Sequence, residues 1–328
     1  MKKTLIASAV AAATFSGAAL ADAHMPTVYG NIQLAIAHED RDASGSNIGH
    51  YDNGSTIGFA HEHAINSALT GFFKAELEFD ADDKAGNGGL NGFDEAYIGV
   101  KGDSFGQLWV GSDDSTYERA VDYIANYYEY GGLSLRNDNA LDGFVYDTGE
   151  GDLIQYASPS FGGLKLHGAV QFNGDGEKEV KSYPYQLAAT YSVDAFELAV
   201  AMDSNDGDRR YSGTAEGESV NNENTYGVRG TFNLGDLALT GQFQTRKDVG
   251  DLYGVHAAYA LGQNNFALSY EMVEADQGDL EASTITAQAL HSLSDHMYVY
   301  VEGYLNNTDD GITDEDNSDF VVGATYYF

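Results

Sequence analysis

The chain has 328 residues, no cysteine, and 51 acidic against 16 basic residues, giving a formal charge of −35. Without cysteine there is no disulfide framework, thiolate metal site or thiol nucleophile. So negative a molecule repels nucleic acid, whose binding needs basic patches, and draws cations instead.

The first residues read as a secretory signal. Lys2 and Lys3 supply the positive start, residues 5–15 the apolar stretch and Ala19-Leu20-Ala21 a small-residue cleavage site. Residues 1–21 are therefore expected to be removed, leaving 22–328 as one domain; cleavage after Ala23 is the alternative. The apolar part is too short to span a membrane, and no later run reaches the roughly 18 consecutive apolar residues of a spanning helix. Removing Lys2 and Lys3 makes the mature chain more acidic still.

Beyond the signal the chain alternates apolar and polar residues, as half-buried strands do. In residues 69–79, Leu69, Gly71, Phe73, Ala75, Leu77 and Phe79 take one face while Thr70, Phe72, Lys74, Glu76 and Glu78 take the other. Residues 28–37, 237–246, 253–261, 266–272 and 297–305 repeat the pattern, with aromatic residues near strand ends as at a lipid–water boundary. Only three prolines interrupt, as long paired strands require. Short turns are expected at 66–68, 102–106, 159–163, 194–195, 234–236, 262–265 and 293–296. Longer polar loops are expected near 39–54, 80–92, 112–150, 172–182, 203–223, 247–251, 274–282 and 306–317. Seven turns and eight loops join sixteen strands, at roughly 19 residues per strand with its connection, which suits an outer-membrane barrel.

In lipid every backbone donor and acceptor needs a partner, and an antiparallel sheet achieves this by closing on itself. About sixteen strands enclose water rather than a packed core. Lys74, Glu76 and Glu78 then share a wet inner face, and a mean hydropathy of −0.33 becomes compatible with a membrane protein. The expected fold is thus all-β, a transmembrane antiparallel β-barrel of about 16 strands, ending on the alternating Phe320, Val322, Ala324, Tyr326 and Phe328.

Residues 112–149 break the alternation. They mix charge, aromatics and glycine, from Asp113-Asp114 through Glu118-Arg119 and Asp122-Tyr123 to Tyr127-Tyr128-Glu129-Tyr130-Gly131-Gly132. An ordered loop this long is usually functional. It is expected to fold inward and narrow the barrel.

Several motifs in chain order resemble the general diffusion porins of Gram-negative bacteria over essentially the whole mature length. They are Val28-Tyr29-Gly30, Ile57-Gly58-Phe59 with Glu62, Leu69-Thr70-Gly71 with Glu76, and Ala96-Tyr97-Ile98-Gly99-Val100. Gly106-Gln107-Leu108-Trp109-Val110-Gly111, Phe161-Gly162-Gly163-Leu164 and the terminal Tyr326-Tyr327-Phe328 follow. The resemblance implies a sixteen-stranded homotrimer in outer-membrane lipid and lipopolysaccharide. Its third long loop would fold into the lumen, and small hydrophilic solutes would pass by diffusion, without catalysis. Tyr128-Glu129-Tyr130-Gly131-Gly132 matches a Pro-Glu-Phe-Gly-Gly motif of that loop, so Glu129 falls on the family's pore-lining acid; tyrosine replaces the proline. Where relatives place arginines on the opposite wall, this chain has Thr56, Asp94 (or Glu95 inward in its stead) and a position near Gly149. Lys74, with Arg229 or Arg136, is what remains of the basic half.

The candidate constriction residues are therefore Glu129, Asp122 and Glu118 on the loop and Glu62, Glu76, Asp94 and Lys74 on the wall. Rings of acid favour cations, and screening within about 8 Å confines the effect to a narrow passage. A substrate-specific sugar channel is the alternative, for which Tyr298, Tyr300 and Tyr304, with Tyr123 and Tyr127, are candidates for an aromatic track. A barrel enzyme of the lipase type has no Gly-x-Ser-x-Gly and no evident Ser/His/Asp grouping to support it. An adhesive barrel with a closed lumen is a further alternative.

No cofactor is expected. His61-Glu62-His63 lacks a third ligand or a buried setting for zinc. The acidic run from Asp309 to Asp319 suits loose surface Ca²⁺ or Mg²⁺ rather than a defined site. Residues 86–92 are glycine-rich, but no helical pattern follows as a phosphate loop would need.

Overall fold

A computed structural model describes residues 25–82, 90–131, 133, 150–175, 180–205, 223–276 and 278–328. The expected signal segment, Arg136 and Gly149 lie outside the described residues.

Sixteen antiparallel strands follow one another around a ring. The first half comprises β1 (Thr27–Arg41), β2 in two halves (Gly45–Asp52 and Thr56–Asn66), β3 (Leu69–Phe79) and β4 (Leu90–Gly102). It continues through β5 (Gly106–Ser112), β6 (Leu153–Ala157), β7 (Leu164–Gln171) and β8 (Tyr185–Val193). The second half comprises β9 (Phe196–Asp203), β10 (Thr225–Leu234), β11 (Leu237–Arg246) and β12 (Gly250–Leu261). Last come β13 (Asn264–Ala275), β14 (Glu281–Ser294), β15 (Met297–Asp309) and β16 (Asp314–Tyr327). Each strand pairs with the next, and β16 returns to β1 with Tyr327 opposite Asn31 and Asn317 opposite Arg41. Phe328 and Gly30 then exchange backbone hydrogen bonds at the seam. Among the described residues the barrel sheet leaves no edge to the lipid, which is the condition for spanning it with strands.

The two faces of the wall separate by residue type. Along β10, buried Thr225, Gly227, Arg229 and Thr231 alternate with exposed Tyr226, Val228 and Phe232. Exposed Phe161, Tyr191, Phe196, Phe232, Tyr259, Phe266 and Tyr326 lie near the short turns, and exposed Tyr185, Tyr226, Tyr253 and Tyr270 lie toward the other rim. These are the two aromatic girdles expected of a barrel in lipid.

Three connections expected to be long are tight instead. β1 and β2 pair out to Arg41 opposite Gly45, β11 and β12 to Arg246 opposite Gly250, and β15 and β16 to Asp309 opposite Asp314. Most of the loops expected at 39–54 and 306–317 is therefore ladder, and at 247–251 the turn is confined to 247–249. Polar residues on both faces hide a strand that continues into water, where pairing still satisfies the backbone. Between its halves β2 breaks at Asn53–Ser55, where Asp52 Oδ2 accepts the amides of Gly54 and Ser55 at 3.0 Å each.

Candidate functional site

The chain leaves β5 at Ser112 and turns into the barrel. At this root Trp109 Nε1 donates to Asp113 Oδ2 at 2.7 Å, and Arg119 Nη1 donates to the same oxygen at 2.7 Å. The Arg119 guanidinium lies over the Trp109 ring, 5.3 Å from its centroid. Ser115 caps the short helix α1 (Thr116–Val121), its Oγ accepting the Glu118 amide at 3.0 Å. That is the usual role of a serine preceding a helix, since the first-turn amides have no intrahelical partner.

From there the loop follows the inner wall. Tyr117, Ala120 and Val121 bury themselves against Ala188, Ala199 and Ala201 of β8 and β9. Gln186 accepts the Tyr117 amide at 3.1 Å, Gln244 accepts the Tyr117 hydroxyl at 2.9 Å, and Gln242 accepts the amides of Tyr123 and Ile124. Arg229 donates to the Ala120 carbonyl at 2.9 Å and pairs with Glu197 at 2.7 Å. After the 3₁₀ turn Ala125–Tyr127, the tip is held by Glu302. Its Oε1 accepts the Glu129 amide at 2.8 Å and its Oε2 the Tyr130 amide at 3.0 Å. All these wall residues share the face opposite the exposed apolar belt, so the loop lies inside.

The described part of the loop covers the inner faces of β8 to β15, and on the side of β3 and β4 only its root, at Asp113 and Asp114, comes near. Lys74, Glu76 and Glu78 project from β3. In β4 a register shift opposite Glu76–Leu77 inserts one extra residue. With this bulge Asp94 and Glu95 both lie beside the acids and lysine of β3. Asp94 lies in the field of Glu76, Glu78 and Asp114, whereas Glu95 pairs with Lys74 at 2.5 Å. Glu76 is 3.6 Å from the same ammonium. Lys74 is thus held between two carboxylates, as Lys101, farther along β4, is held by Glu62.

The expected site residues divide into groups. Glu76, Asp94 and Lys74 stand together on this wall. Glu129 stands at the loop tip, half-buried, with Tyr298 donating to its Oε2 at 2.6 Å and Tyr298 in turn 3.3 Å from Tyr327. Burial pushes the Glu129 carboxyl up to about 7; the Tyr298 hydroxyl opposes this and the charge of Glu302 adds to it. Glu118 is almost covered, its Oε1 accepting from Asn126 at 3.0 Å.

Asp122 is not on the open side: it is buried behind the loop beside Gln244. One residue past α1, it lies on the face turned to the wall. Glu62 sits near the short turn after β2, paired with Lys101 at 2.5 Å, so it belongs to a channel mouth rather than to the narrow part. Arg229 lies behind the loop. Thr56 accepts from Asn31 at 3.0 Å. His61 and His63 stack on the outer face, and no group able to hold a metal occurs among the described residues.

The suggested aromatic track is also displaced. Tyr298, Tyr300 and Tyr304 are 5%, 2% and 0% exposed because Tyr127, Tyr128 and Leu133 pack on them. They cement the loop to the wall. Sequence reasoning missed Glu302, Gln242 and Gln244, which hold it there. Their signal was a carboxylate or amide on the inward face of a strand, a pattern that water-facing residues also produce.

Comparison with known proteins agrees with this architecture. The model of the Gram-negative porin family matches residues 7–311. A "Monosaccharide porin" of a Halomonas species and the "Major outer membrane protein" of Halomonas elongata are each 29% identical over all of both chains. The Salmonella typhi OmpF structure aligns with a TM-score of 0.71 at 20% identity, covering 92% of this chain and 97% of that one. A loop-deleted OmpT of Vibrio cholerae aligns at 0.66 and 18%, covering 94% and 100%. The closed sixteen-stranded ring, its lipid-facing belt and the family match over residues 7–311 together make this chain a member of the Gram-negative porin family, seated in the outer membrane.

Proposed function

We propose that the barrel is a passive, water-filled channel for small hydrophilic solutes and ions, and that it prefers cations. The observation that carries this reading is the wall of Glu76, Glu78, Asp94 and Glu95, among which Lys74 is already engaged by two carboxylates. The loop adds Asp114 at its root, beside that wall, and Glu129 at its tip. Like charges at a narrow passage raise the local cation concentration and exclude anions. The test is the reversal potential of single channels in a KCl gradient across a planar bilayer. A cation-side potential that shrinks in Glu76→Gln/Asp94→Asn supports the reading; anion preference refutes it.

Two finer points belong to the same reading. The protein works as a homotrimer, a form named for the V. cholerae OmpT structure. Cross-linking of native outer membranes should give a three-chain product, and a one-chain product alone would remove the claim. Monosaccharides are among its solutes, on the strength of the full-length Halomonas relative of that name. Saturable current block by a monosaccharide would mark a binding site, and unsaturable passage would mark plain diffusion.

A further inference from the structure

Most inward glycines of the wall are filled by neighbouring rings. Tyr29 occupies the space at Gly58, Phe72 that at Gly99 and Tyr300 that at Gly323. Two are occupied by the loop instead, alone among the described glycines. A Cβ at Gly227 of β10 would meet Tyr117 Oη and Val121 Cγ2, each at 2.7 Å; one at Gly254 of β12 would meet Ile124 Cδ1 at 2.7 Å. Neither glycine has a positive φ, so the backbone does not call for it. A glycine inside a strand is costly without such a need. What it supplies here is depth.

Each glycine is also paired across the ladder with a glutamine that binds the loop. Gly227 stands opposite Gln244, which accepts the Tyr117 hydroxyl at 2.9 Å. Gly254 stands opposite Gln242, which accepts the Tyr123 and Ile124 amides at 3.2 and 3.1 Å. The unit thus occurs twice along three adjacent strands: a socket that admits an apolar knob, beside an amide that clasps the chain carrying it.

We propose that the pairs Gly227–Gln244 and Gly254–Gln242 are positioning residues that set how far the loop stands off the wall, and so set the cross-section of the channel from behind. The inference rests on the channel reading above. Contacts at 2.7 Å are about 1 Å inside ordinary carbon contact, and Tyr117, Val121 and Ile124 are fully buried with no open space to turn into, so the displacement by a filled socket passes to the loop. Conductance should respond in a graded way to the volume in the socket, while the charges facing the lumen stay as they are.

The experiment is single-channel conductance of purified protein in planar bilayers, with heat-modifiable gel mobility as the check on folding. Gly254→Ala and Gly254→Val should lower conductance stepwise, with a drop of at least roughly 1.2-fold for the larger residue, the scale of a ~1 Å intrusion. Ion preference should be unchanged. Ile124→Ala combined with Gly254→Val should restore the conductance, which a general loss of stability would not allow. Should Gly254→Val not fold, Ile124→Trp on an untouched wall must narrow the channel in the same way. Wild-type conductance in folded Gly254→Val or in Ile124→Trp, or no recovery in the double variant, overturns the proposal. A wild-type protein without conductance steps would instead remove the channel reading.

Discussion

Glu302, 1% exposed on β15, accepts the backbone amide of Glu129 at 2.8 Å. The same carboxylate takes the Tyr130 amide, the Tyr304 hydroxyl at 2.7 Å and the Gln288 amide at 2.7 Å. Four donors make a buried charge tolerable, and in return two backbone amides of an irregular segment are satisfied.

Removing that carboxylate should free the tip. Glu302→Ala leaves two loop amides without their acceptor, a cost of about 1–3 kcal/mol each. Glu302→Gln keeps one oxygen and should cost less. Single-channel recordings of Glu302→Ala should show added current noise and a larger mean conductance, with Glu302→Gln intermediate. Quiet wild-type traces from the alanine variant would count against the latch.

The titration of Glu129 gives a pH dependence. Burial raises its carboxyl from the ordinary 4.5 to about 7. Above that value the group is charged and adds to the acid of the passage; as pH falls through it the charge is lost. Cation preference should therefore rise between pH 5.5 and 8.5, by reversal potential, and Glu129→Gln should flatten the curve. Linkage has the opposite sense for docking. The folded state binds more protons than the unfolded between about 4.5 and 7, so this group's contribution to stability is present below that window and lost as pH rises through it.

Lys74 is a counter-charge of the β3 and β4 wall, bound to Glu95 and near Glu76. Lys74→Gln should leave both carboxylates uncompensated and increase cation preference. A shift of the reversal potential toward the anion side would contradict the assignment of this wall to the conducting passage.

Trp109 is the chain's one tryptophan and its indole reports on the loop root. Asp113→Ala removes the acceptor shared by Trp109 and Arg119, at about 1–3 kcal/mol for a charge-assisted contact. Its emission should shift to the red as water reaches the ring, and the loop root should open at lower denaturant. Unchanged emission would show that the root is held by Gln155 and the backbone alone.

Where lipid bathes one face, the strands were legible from composition. Residues 69–79 and 237–246 were bounded correctly, as was the turn at Asp194–Ala195, because apolar and polar residues must alternate there. The same rule failed at β15, whose outer half carries Asn306, Asn307, Thr308 and Asp309 and reads as loop although it pairs to its end. It failed again at Tyr298, Tyr300 and Tyr304. A tyrosine pointing inward looks the same whether it faces a solute or the underside of a folded loop. Asp122 and Glu118, four residues apart, were similarly indistinguishable until the fold set Asp122 against Gln244 of the wall and Glu118 against Asn126 of the loop.

Taken alone, the sequence was enough for a closed barrel with a wet interior, since lipid imposes alternation and ring closure residue by residue. It also marked out the stretch that breaks the pattern. Only the tertiary structure decided where that stretch lies, because its position depends on contacts between residues more than a hundred apart, such as Ile124 with Gly254 and Glu129 with Glu302. Those contacts decide which acids face the channel and which tyrosines are buried, and no local pattern encodes them.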